Sequence, residues 1–400
     1  MLISQSQQKG IIVMRLNPPL IALAVGAFGI GVTEFAPMGM LPLIATDLGV
    51  SIPLAGLLIS AYAIGVLVGA PVMTLATTRV PRRTLLIALM GIFTLGNLMS
   101  AIASDYTSLL IARIITSFNH GAFFGVGSIV AASVVPADKR AGAVAAMFMG
   151  LTIATVGGVP LAAWAGEMLG WRTAFWGIAG LGVIAMLSLR FALPDLRADT
   201  GSNMMAEVRV LSRGPVLAAL ALTVLGASAM FTVFTYIVPI LRDEAHASTG
   251  FVTAMLMLYG IGLTIGNVIG GRYADRSVDR TLIISLFALV AVLVVFTAIM
   301  PWRGPAAVAI LLWGIASFAI VPPLQMRVME AATDAPNLAS AMNIGAFNLG
   351  NAIGAALGGA VIAGGLGYPA VSLAGAAMAA MALAMVVASV RIGQRQAVVL

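Results

Sequence analysis

The sequence predicts an all-α membrane protein with twelve transmembrane helices arranged as two pseudo-symmetric six-helix bundles. Composition, the length of the apolar stretches and an internal repeat support this fold class. Hydrophobic residues make up 61% of the 400 residues and charged residues only 9%, whereas soluble domains carry about 25% charged residues. The apolar stretches run for about 20 residues without the alternation of barrel strands, so helices are the expected spanning elements.

Twelve apolar stretches divide the chain into two sets of six. The apolar run after Pro19 is long enough to span, so we interpret it as a first helix and not as a cleavable signal. Residues 194–213 form the longest polar segment, which predicts a bundle of residues 1–193, a cytoplasmic linker of residues 194–213 and a second bundle of residues 214–400. The expected spans are residues 20–44, 54–77, 84–103, 107–134, 142–166, 173–193, 215–241, 250–272, 281–300, 305–327, 338–363 and 368–390.

The two sets of helices carry a sequence repeat at a constant offset of 197 residues. Tyr62 matches Tyr259, and Gly65 matches Gly262, without a gap between them. A period of half the chain indicates two fused copies of one unit. In a very apolar chain, fused copies are typical of a secondary transporter with its site between the repeats.

The distribution of basic residues predicts the orientation in the membrane. Of the 21 Lys and Arg residues, seventeen fall on the side of the N-terminus, three fall on the other side (Arg172, Arg242 and Arg303), and Arg113 lies within a span. Because basic residues accumulate on the cytoplasmic side, both termini and the linker should be cytoplasmic. The net charge of +7 then reflects this bias and contact with anionic lipid headgroups, and it does not indicate nucleic-acid binding.

Two charged residues fall inside predicted spans, Glu34 in the first helix and Arg113 in the fourth. The helices run in opposite directions, which places the two groups within ~6 Å in depth, and we expect contact that is either direct or bridged by water. They could form a structural ion pair, or Glu34 could be a carboxylate that gains and loses a proton. At the 197-residue offset they fall on Phe231 and Ile310, so the scaffold does not require them, which favours a function.

Polar residues on the fourth and eleventh helices repeat at helical spacing. Arg113, Ser117, His120 and Phe124 share one face of the fourth helix, and a polar face in a membrane normally lines an interior. His120 could relay protons, or it could simply donate a hydrogen bond to a neighbouring helix. Asn343, Phe347 and Asn351 form a similar stripe on the eleventh helix.

Glycine, proline and basic loops suggest sites of conformational change. Gly150, Gly158 and Pro160 lie along the fifth helix, where they permit close packing and a kink. Basic residues in matching loops of the two halves could cap neighbouring helix C-termini in one conformation. The candidate gating residues are Arg79, Arg83, Gly150, Gly158, Pro160, Gly271, Asp275 and Arg276.

These features together resemble the major facilitator superfamily over essentially the whole chain. The motifs that carry the resemblance are Gly271-x-x-x-Asp275-Arg276, then Leu109, Arg113 and Gly121 in the fourth helix, then Gly150, Ala154, Gly158 and Pro160 in the fifth. The segment TEFAPMGMLPLIATDLGVS is similar to bacterial twelve-helix drug:proton antiporters, in particular the branch of chloramphenicol-resistance, arabinose-efflux and sugar-efflux permeases. The resemblance implies the major facilitator fold and proton-driven efflux across the bacterial inner membrane by alternating access. Glu34 and Arg113 match the coupling positions of the family.

Three functional hypotheses remain open. The first is a proton-coupled exporter of small apolar or neutral molecules, with a cavity lined by Phe28, Phe35, Phe124, Tyr236 and Phe347. The second is a proton-coupled exporter of sugars or nucleosides, recognised by Asn119, His120, Thr232, Tyr236, Asn343 and Asn351. The third is a non-transporting membrane sensor or a membrane enzyme, which the absence of a catalytic grouping, metal cluster or phosphate loop disfavours. We expect a monomer without cofactor or metal, with the proton as coupling ion and the bilayer and a small molecule as partners.

Overall fold

The computed structural model is helical almost throughout the residues that it describes, which are 17–77, 79–136, 140–195, 210, 212–274, 276–333 and 336–399. Twelve helical spans in this part of the chain are long and apolar enough to cross a membrane. Six of them precede residue 195 and six follow residue 213, as the apolar stretches predict. The fold class is therefore confirmed, whereas Asp275 and residues 196–209 of the expected linker lie outside the described residues.

Several spans consist of two helices, so the described part of the chain contains seventeen α-helices and one π-helical turn. The first half contains α1 (Pro18–Gly39), α2 (Leu41–Asp47), α3 (Ile52–Ala76), α4 (Arg82–Ala101), α5 (Tyr106–Ser117), α6 (His120–Ser133), α7 (Arg140–Ile153), the π turn (Ala154–Gly158), α8 (Val159–Leu169) and α9 (Trp171–Ala192). The second half contains α10 (Gly214–Phe234), α11 (Ile237–Glu244), α12 (Thr249–Ala274), α13 (Val278–Ile299), α14 (Arg303–Ala319), α15 (Val321–Ala331), α16 (Pro336–Ala363) and α17 (Gly367–Val399).

Proline accounts for most of the breaks within spans. Pro37 lies near the end of α1, and a second proline follows in the first turn of α2. Because proline has no N–H group and its ring clashes with the preceding turn, an α-helix bends or ends there. The boundary between α14 and α15 likewise precedes two prolines, Pro322 and Pro323. The apolar segments therefore contain turns where side chains can change direction.

The π turn lies just before Pro160, at the place where the sequence predicts a kink. Two glycines near it allow α1 to pack very closely. A Cβ atom on Gly150 would lie 2.0 Å from the carbonyl oxygen of Ala24, and one on Gly158 would lie 2.5 Å from Cγ2 of Val32. Any larger residue at Gly150 would therefore push α7 away from α1.

The two halves of the chain meet along two helix pairs. Helix α3 packs against α16, where Ser60 Oγ donates a buried hydrogen bond of 3.0 Å to the carbonyl oxygen of Ala352. The π turn and α8 pack against α12, and Gly260 approaches the backbone of Thr155 so closely that a Cβ atom would lie 2.5 Å from its oxygen. These contacts hold the two halves together. The two-fold relation between the halves stays a prediction.

One ion pair crosses between the halves on the face of the molecule that contains Asp47 and Glu167, which we call the opposite face. Arg242 Nη2 of α11 lies 2.8 Å from Glu167 Oε2 of α8, and Thr249 Oγ1 donates to Glu167 Oε1 over 3.1 Å. A second ion pair on this face, Arg172 Nη1 to Asp47 Oδ2 at 2.6 Å, stays within the first half. The hydrogen bond from Arg172 holds the pKa of Asp47 below its usual value. The halves are thus joined directly on the opposite face.

Two ion pairs between described residues on the other face each stay within one half. We call this the linker face, since Asp195 and Arg213 lie on it. Arg83 donates to Asp195 over 2.8 Å and also to the carbonyl oxygen of Arg190, in the last turn of α9. In the second half Arg327 contacts Asp279. The pair of Arg242 with Glu167 joins the two halves on the opposite face, so this conformation is closed toward that face.

Candidate functional site

A buried cluster of polar residues lies between α1, α3 and α6 in the first half. Glu34 is 4% exposed, and its Oε2 lies 3.9 Å from Nδ1 of His120. The hydroxyl of Tyr62 lies 3.2 Å from the same nitrogen. His120 can reach both groups because it begins α6, directly after the turn at Phe118 and Asn119 that interrupts the span. One imidazole nitrogen therefore lies within hydrogen-bonding distance of a phenol and close to a carboxyl group.

Arg113 is the cation of this cluster and is fully buried. Its Nη1 donates to the carbonyl oxygen of Thr33 over 2.8 Å and to the hydroxyl of Thr33 over 3.3 Å. Its Cζ lies 4.2 Å from the centroid of the Tyr62 ring, which is a cation–π contact. The Nε and Nη2 atoms are buried without a hydrogen-bond partner. The guanidinium is thus held by one backbone carbonyl, one hydroxyl and one ring.

Glu34 and Arg113 do not form the direct contact that their depths allow. The ion-pair distance of Glu34 is to His120, and Arg113 instead contacts Thr33, the residue before Glu34. Helical spacing fixes depth, but packing decides how each helix is rotated about its axis, and here the rotation turns the guanidinium toward Tyr62. The carboxyl group therefore makes no direct ion pair with the guanidinium, although the two charges attract each other through space.

The Thr33 side chain extends the polar cluster to α4. Its hydroxyl donates to Oδ1 of Asn97 over 2.6 Å, and Nδ2 of Asn97 donates to the carbonyl oxygen of Phe93 over 2.8 Å. A chain of hydrogen bonds thus leads from α4 through Thr33 to Arg113. Such buried networks are rigid when their members are satisfied.

Aromatic rings form a second cluster, which begins one residue after Glu34 and crosses to the other half. Phe35 stacks on Phe231 with ring centroids 6.0 Å apart and contacts Phe234 edge to face at 6.3 Å. Phe231 in turn contacts Phe347 of α16 at 5.5 Å. Of the predicted cavity residues, Phe35 and Phe347 therefore lie together at the junction of the halves.

The other two predicted cavity phenylalanines lie within the first half. Phe124 stacks on Phe148 at 5.0 Å and tilts against His120 at 5.1 Å. Phe28 is half-buried and packs against Gly158 of the π turn. Phe124 is consequently part of the polar cluster's wall, whereas Phe28 contributes to the α1–π-turn contact.

The predicted polar cavity residues already use their hydrogen-bonding groups within the protein. Thr232 donates to the carbonyl oxygen of Ser228, and Tyr236 donates to that of Ala355, each over 2.7 Å. Asn119 donates to Thr116 in its own turn, although its Oδ1 atom has no partner. These side chains offer few donors to a substrate in this conformation.

Asn343 and Asn351 on α16 differ in whether their amide groups already have hydrogen-bond partners within the protein. Asn343 accepts from Thr223 over 2.6 Å and donates to Gln325 over 2.6 Å, so it links α10, α15 and α16. Asn351, which is also buried, has no partner for either atom of its amide. Asn351 is therefore the better candidate for polar contact with a substrate.

The predicted gating residues are only partly brought together. Arg83 caps the C-terminal turn of α9, as the loop pattern suggests. Arg79 is exposed, Gly271 has open space at its α-carbon, and Arg276 lies over the ring of Tyr273 at 5.5 Å. Among the gating residues that the structure describes, the predicted helix cap is therefore seen at Arg83.

Sequence reasoning missed Tyr62, Thr33 and Asn97 as members of the site. Tyr62 stood out only as a repeat position, and nothing in its spacing indicated contact with both Arg113 and His120. Its signal was indirect, since a tyrosine within a span needs a polar partner for its hydroxyl. Among the described residues, no group of three or more His, Cys, Asp or Glu side chains could hold a metal ion.

Comparison with known proteins identifies the family to which this chain belongs. Residues 23–358 match the model of the Major Facilitator Superfamily. The chain is 58% identical over 378 residues to the inner membrane transport protein YdhP of Escherichia coli (strain K12), covering 94% of this chain and 97% of that protein. It is 34% identical over 343 residues to a chloramphenicol resistance protein of Streptomyces lividans, covering 84% of this chain and 87% of that protein. The structure of a D-xylose–proton symporter has the same fold, with a TM-score of 0.76 at 15% identity over 92% of this chain and 96% of that one.

Proposed function

The chain belongs to the Major Facilitator Superfamily of membrane transporters, and we propose that it exports small drug-like or apolar and neutral compounds across the bacterial inner membrane in exchange for protons. The linker face is then cytoplasmic, in accord with the excess of basic residues on that side. The opposite face, which the Glu167–Arg242 pair closes, is then external. Transport proceeds by alternating access between the two faces.

The buried carboxyl group of Glu34 is the observation that carries this proposal. It is buried within a membrane-spanning helix, makes no direct ion pair with the Arg113 guanidinium, and lies 3.9 Å from a titratable ring, that of His120. Ionisable groups inside a membrane usually serve a function, and a carboxyl group that is not held in a direct ion pair is free to gain and lose a proton. Glu34 therefore binds and releases the proton, and Arg113 and His120 set the electrostatic environment in which it does so.

The position of Phe35 explains how substrate and proton exclude each other. Glu34 faces the polar cluster, while the next residue faces the aromatic cluster of Phe231 and Phe347. A flat or apolar molecule that enters among these rings must displace Phe35 and with it the adjoining turn of α1. Movement of that turn changes the surroundings of Glu34, so substrate binding and proton binding affect one another.

The chemistry of the cavity favours apolar or neutral cargo over sugars and nucleosides. Recognition of a sugar requires several free donors and acceptors, but Thr232 and Tyr236 already donate to backbone carbonyl oxygens, and Asn343 already pairs with Thr223 and Gln325. Stacked rings bind apolar and aromatic molecules without such donors. The resistance protein of Streptomyces lividans, which is 34% identical, supports a drug-like cargo as well.

Transport by inside-out membrane vesicles tests this proposal. Vesicles acidified inside by respiration should accumulate radiolabelled chloramphenicol or ethidium, and a protonophore should abolish the accumulation. D-xylose and uridine should not accumulate. Uptake of D-xylose or uridine alone would replace the proposed cargo by the sugar or nucleoside class, and uptake insensitive to the protonophore would reject proton coupling.

Glu34→Gln in the same vesicles tests the role of the carboxyl group. The amide keeps the size and the hydrogen-bonding capacity but cannot titrate, so proton-driven accumulation should be lost at near-normal thermal stability. If Glu34 were a structural partner of a buried charge, its loss would instead lower stability by ~3–5 kcal/mol. The exposed Glu330→Gln serves as matched control and should transport normally. If Glu34→Gln transported as well as the unmutated protein, the proton would be assigned to another group, with His120 the next candidate.

A further inference from the structure

Two side chains compete for the same nitrogen of His120. The hydroxyl of Tyr62 lies 3.2 Å and Oε2 of Glu34 lies 3.9 Å from Nδ1, and all three residues are buried. In a neutral imidazole this nitrogen either carries a hydrogen and donates, or lacks one and accepts. An ionised carboxylate can only accept, so it favours the tautomer with hydrogen on Nδ1. A phenol that donates favours the other tautomer, in which Nδ1 accepts.

The ring of Tyr62 also holds the cation of the cluster. The guanidinium of Arg113 lies 4.2 Å above this ring, and two of its nitrogen atoms have no other partner. Tyr62 thus contacts the imidazole through its hydroxyl and the guanidinium through its ring. A small rotation of this one side chain changes both contacts together.

Helix α3, which carries Tyr62, is the helix of the first half that packs most extensively on the second half. Ser60, two residues before Tyr62, donates to the carbonyl oxygen of Ala352 across the interface over 3.0 Å. Further along the same pair, Leu67 lies against Gly345. When the halves move relative to one another, α16 therefore moves the backbone that carries Tyr62.

We propose that Tyr62 is a positioning residue that couples the contact between the halves to the protonation of Glu34, by exchanging with Glu34 as hydrogen-bond partner of Nδ1 in His120. This inference rests on the proposed function, since it assigns a regulator to the proton site. When Glu34 is ionised, the Nδ1 hydrogen of His120 points to the carboxylate. When Glu34 is protonated, the Tyr62 hydroxyl donates to Nδ1, and displacement of α3 breaks that bond.

The ionisable groups that face this imidazole are few, which makes the exchange measurable. They are Glu34 from α1, Tyr62 from α3 and Arg113 from α5. The segments that pack around them from α4, α7, α10 and α16 contribute no ionisable side chain at this depth. The sequence also contains only 2 histidines, the other being His246 near the opposite face.

Nitrogen-15 NMR of ring-labelled histidine in the full-length purified protein tests the proposal, with His246→Gln used for assignment. From pH 5.5 to 8.5 the Nδ1–H tautomer of His120 should gain about three- to tenfold over the other, the range of one hydrogen bond. In Tyr62→Phe, which keeps the ring over Arg113, the Nδ1–H tautomer should dominate throughout. Tyr259→Phe is the matched control, because it removes the repeat-related hydroxyl beside Phe234, and it should behave like the unmutated protein.

The outcomes separate this inference from the proposed function. A pH response in Tyr62→Phe equal to that of the unmutated protein overturns the inference, and so does a doubly protonated ring across the whole range. Loss of the response in Glu34→Gln together with its loss in Tyr62→Phe, at unchanged melting temperature, supports it. Absence of protonophore-sensitive accumulation in vesicles of the unmutated protein would reject the proposed function itself, whatever the tautomers show.

Discussion

Replacement of Glu167 by glutamine should loosen the closure of the opposite face. Glu167 forms an ion pair with Arg242 at 2.8 Å and accepts a hydrogen bond from Thr249 at 3.1 Å, and both partners belong to the other half. The amide can still accept one hydrogen bond but carries no charge. The contact between the halves therefore weakens without loss of side-chain volume.

The exposure of the pair sets the magnitude of the effect. The side chains of Arg242 and Glu167 are 32% and 20% exposed, so the pair is neither free in water nor deeply buried. Exposed pairs contribute about 0.2–1 kcal/mol, and breaking a fully buried pair costs about 3–5 kcal/mol. We therefore expect that removing this pair destabilises the closed conformation by about 1–2 kcal/mol. That loss lowers the ratio of closed to open molecules about 5- to 30-fold.

Labelling of one introduced cysteine measures this ratio. The sequence contains no cysteine, so Leu256→Cys provides a single thiol. Leu256 is 3% exposed and packs against Gly39 of the other half, about 10 Å deeper than Thr249. In right-side-out vesicles, Glu167→Gln should raise its rate of reaction with a membrane-impermeant maleimide about 5- to 30-fold.

Asp47→Asn is the control for this experiment. It removes an ion pair of similar length on the same face, that of Arg172 with Asp47 at 2.6 Å, which stays within one half. The labelling rate of Leu256→Cys should not change in that background. An equal rise in both backgrounds, or no rise with Glu167→Gln, would refute the view that the crossing pair holds the face closed.

Two further effects on stability follow from the packing. Because Arg172 depresses the pKa of Asp47, the stabilisation it provides is present above the usual aspartate range and lost as the pH falls through the depressed pKa. Asp47→Asn should therefore lower the melting temperature at pH 7, and the effect should shrink as the pH falls below the usual aspartate range. Gly150→Ala would place a Cβ atom 2.0 Å from the Ala24 oxygen, so it should lower the melting temperature by roughly 3–10 °C. Gly157→Ala meets open space and should change it by less than about 1 °C.

The sequence predicts the helices well because a single strong requirement governs them. About 20 apolar residues must cross the bilayer with every backbone group satisfied within the segment, and that requirement leaves its pattern in the composition. The interruptions at Met40 and Ile320 are harder to locate. Proline indicates that a helix can break, but tertiary packing decides which residue leaves the helix.

The pairing of side chains in the site is harder to predict from the sequence than the helices are. The depths of Glu34 and Arg113 follow from helix geometry, but their azimuths depend on how α1 and α5 are rotated in the bundle. Likewise a threonine in a helix can satisfy its hydroxyl on the preceding turn, as Thr232 does. The sequence alone does not distinguish such a residue from one whose hydroxyl is free for a ligand.

The stack of Phe35 on Phe231 has an evolutionary consequence. Phe231 is the repeat counterpart of Glu34, so in the proposed mechanism the same repeat position carries the proton in the first copy and forms an aromatic surface in the second. The proton site and the proposed cargo surface would then lie in separate copies of the repeat, joined through Phe35. Substitutions in the second copy can change which molecule is carried while the chemistry of the proton stays intact. Duplication would in this way have allowed relatives that carry different molecules to diverge from one proton-coupled transporter.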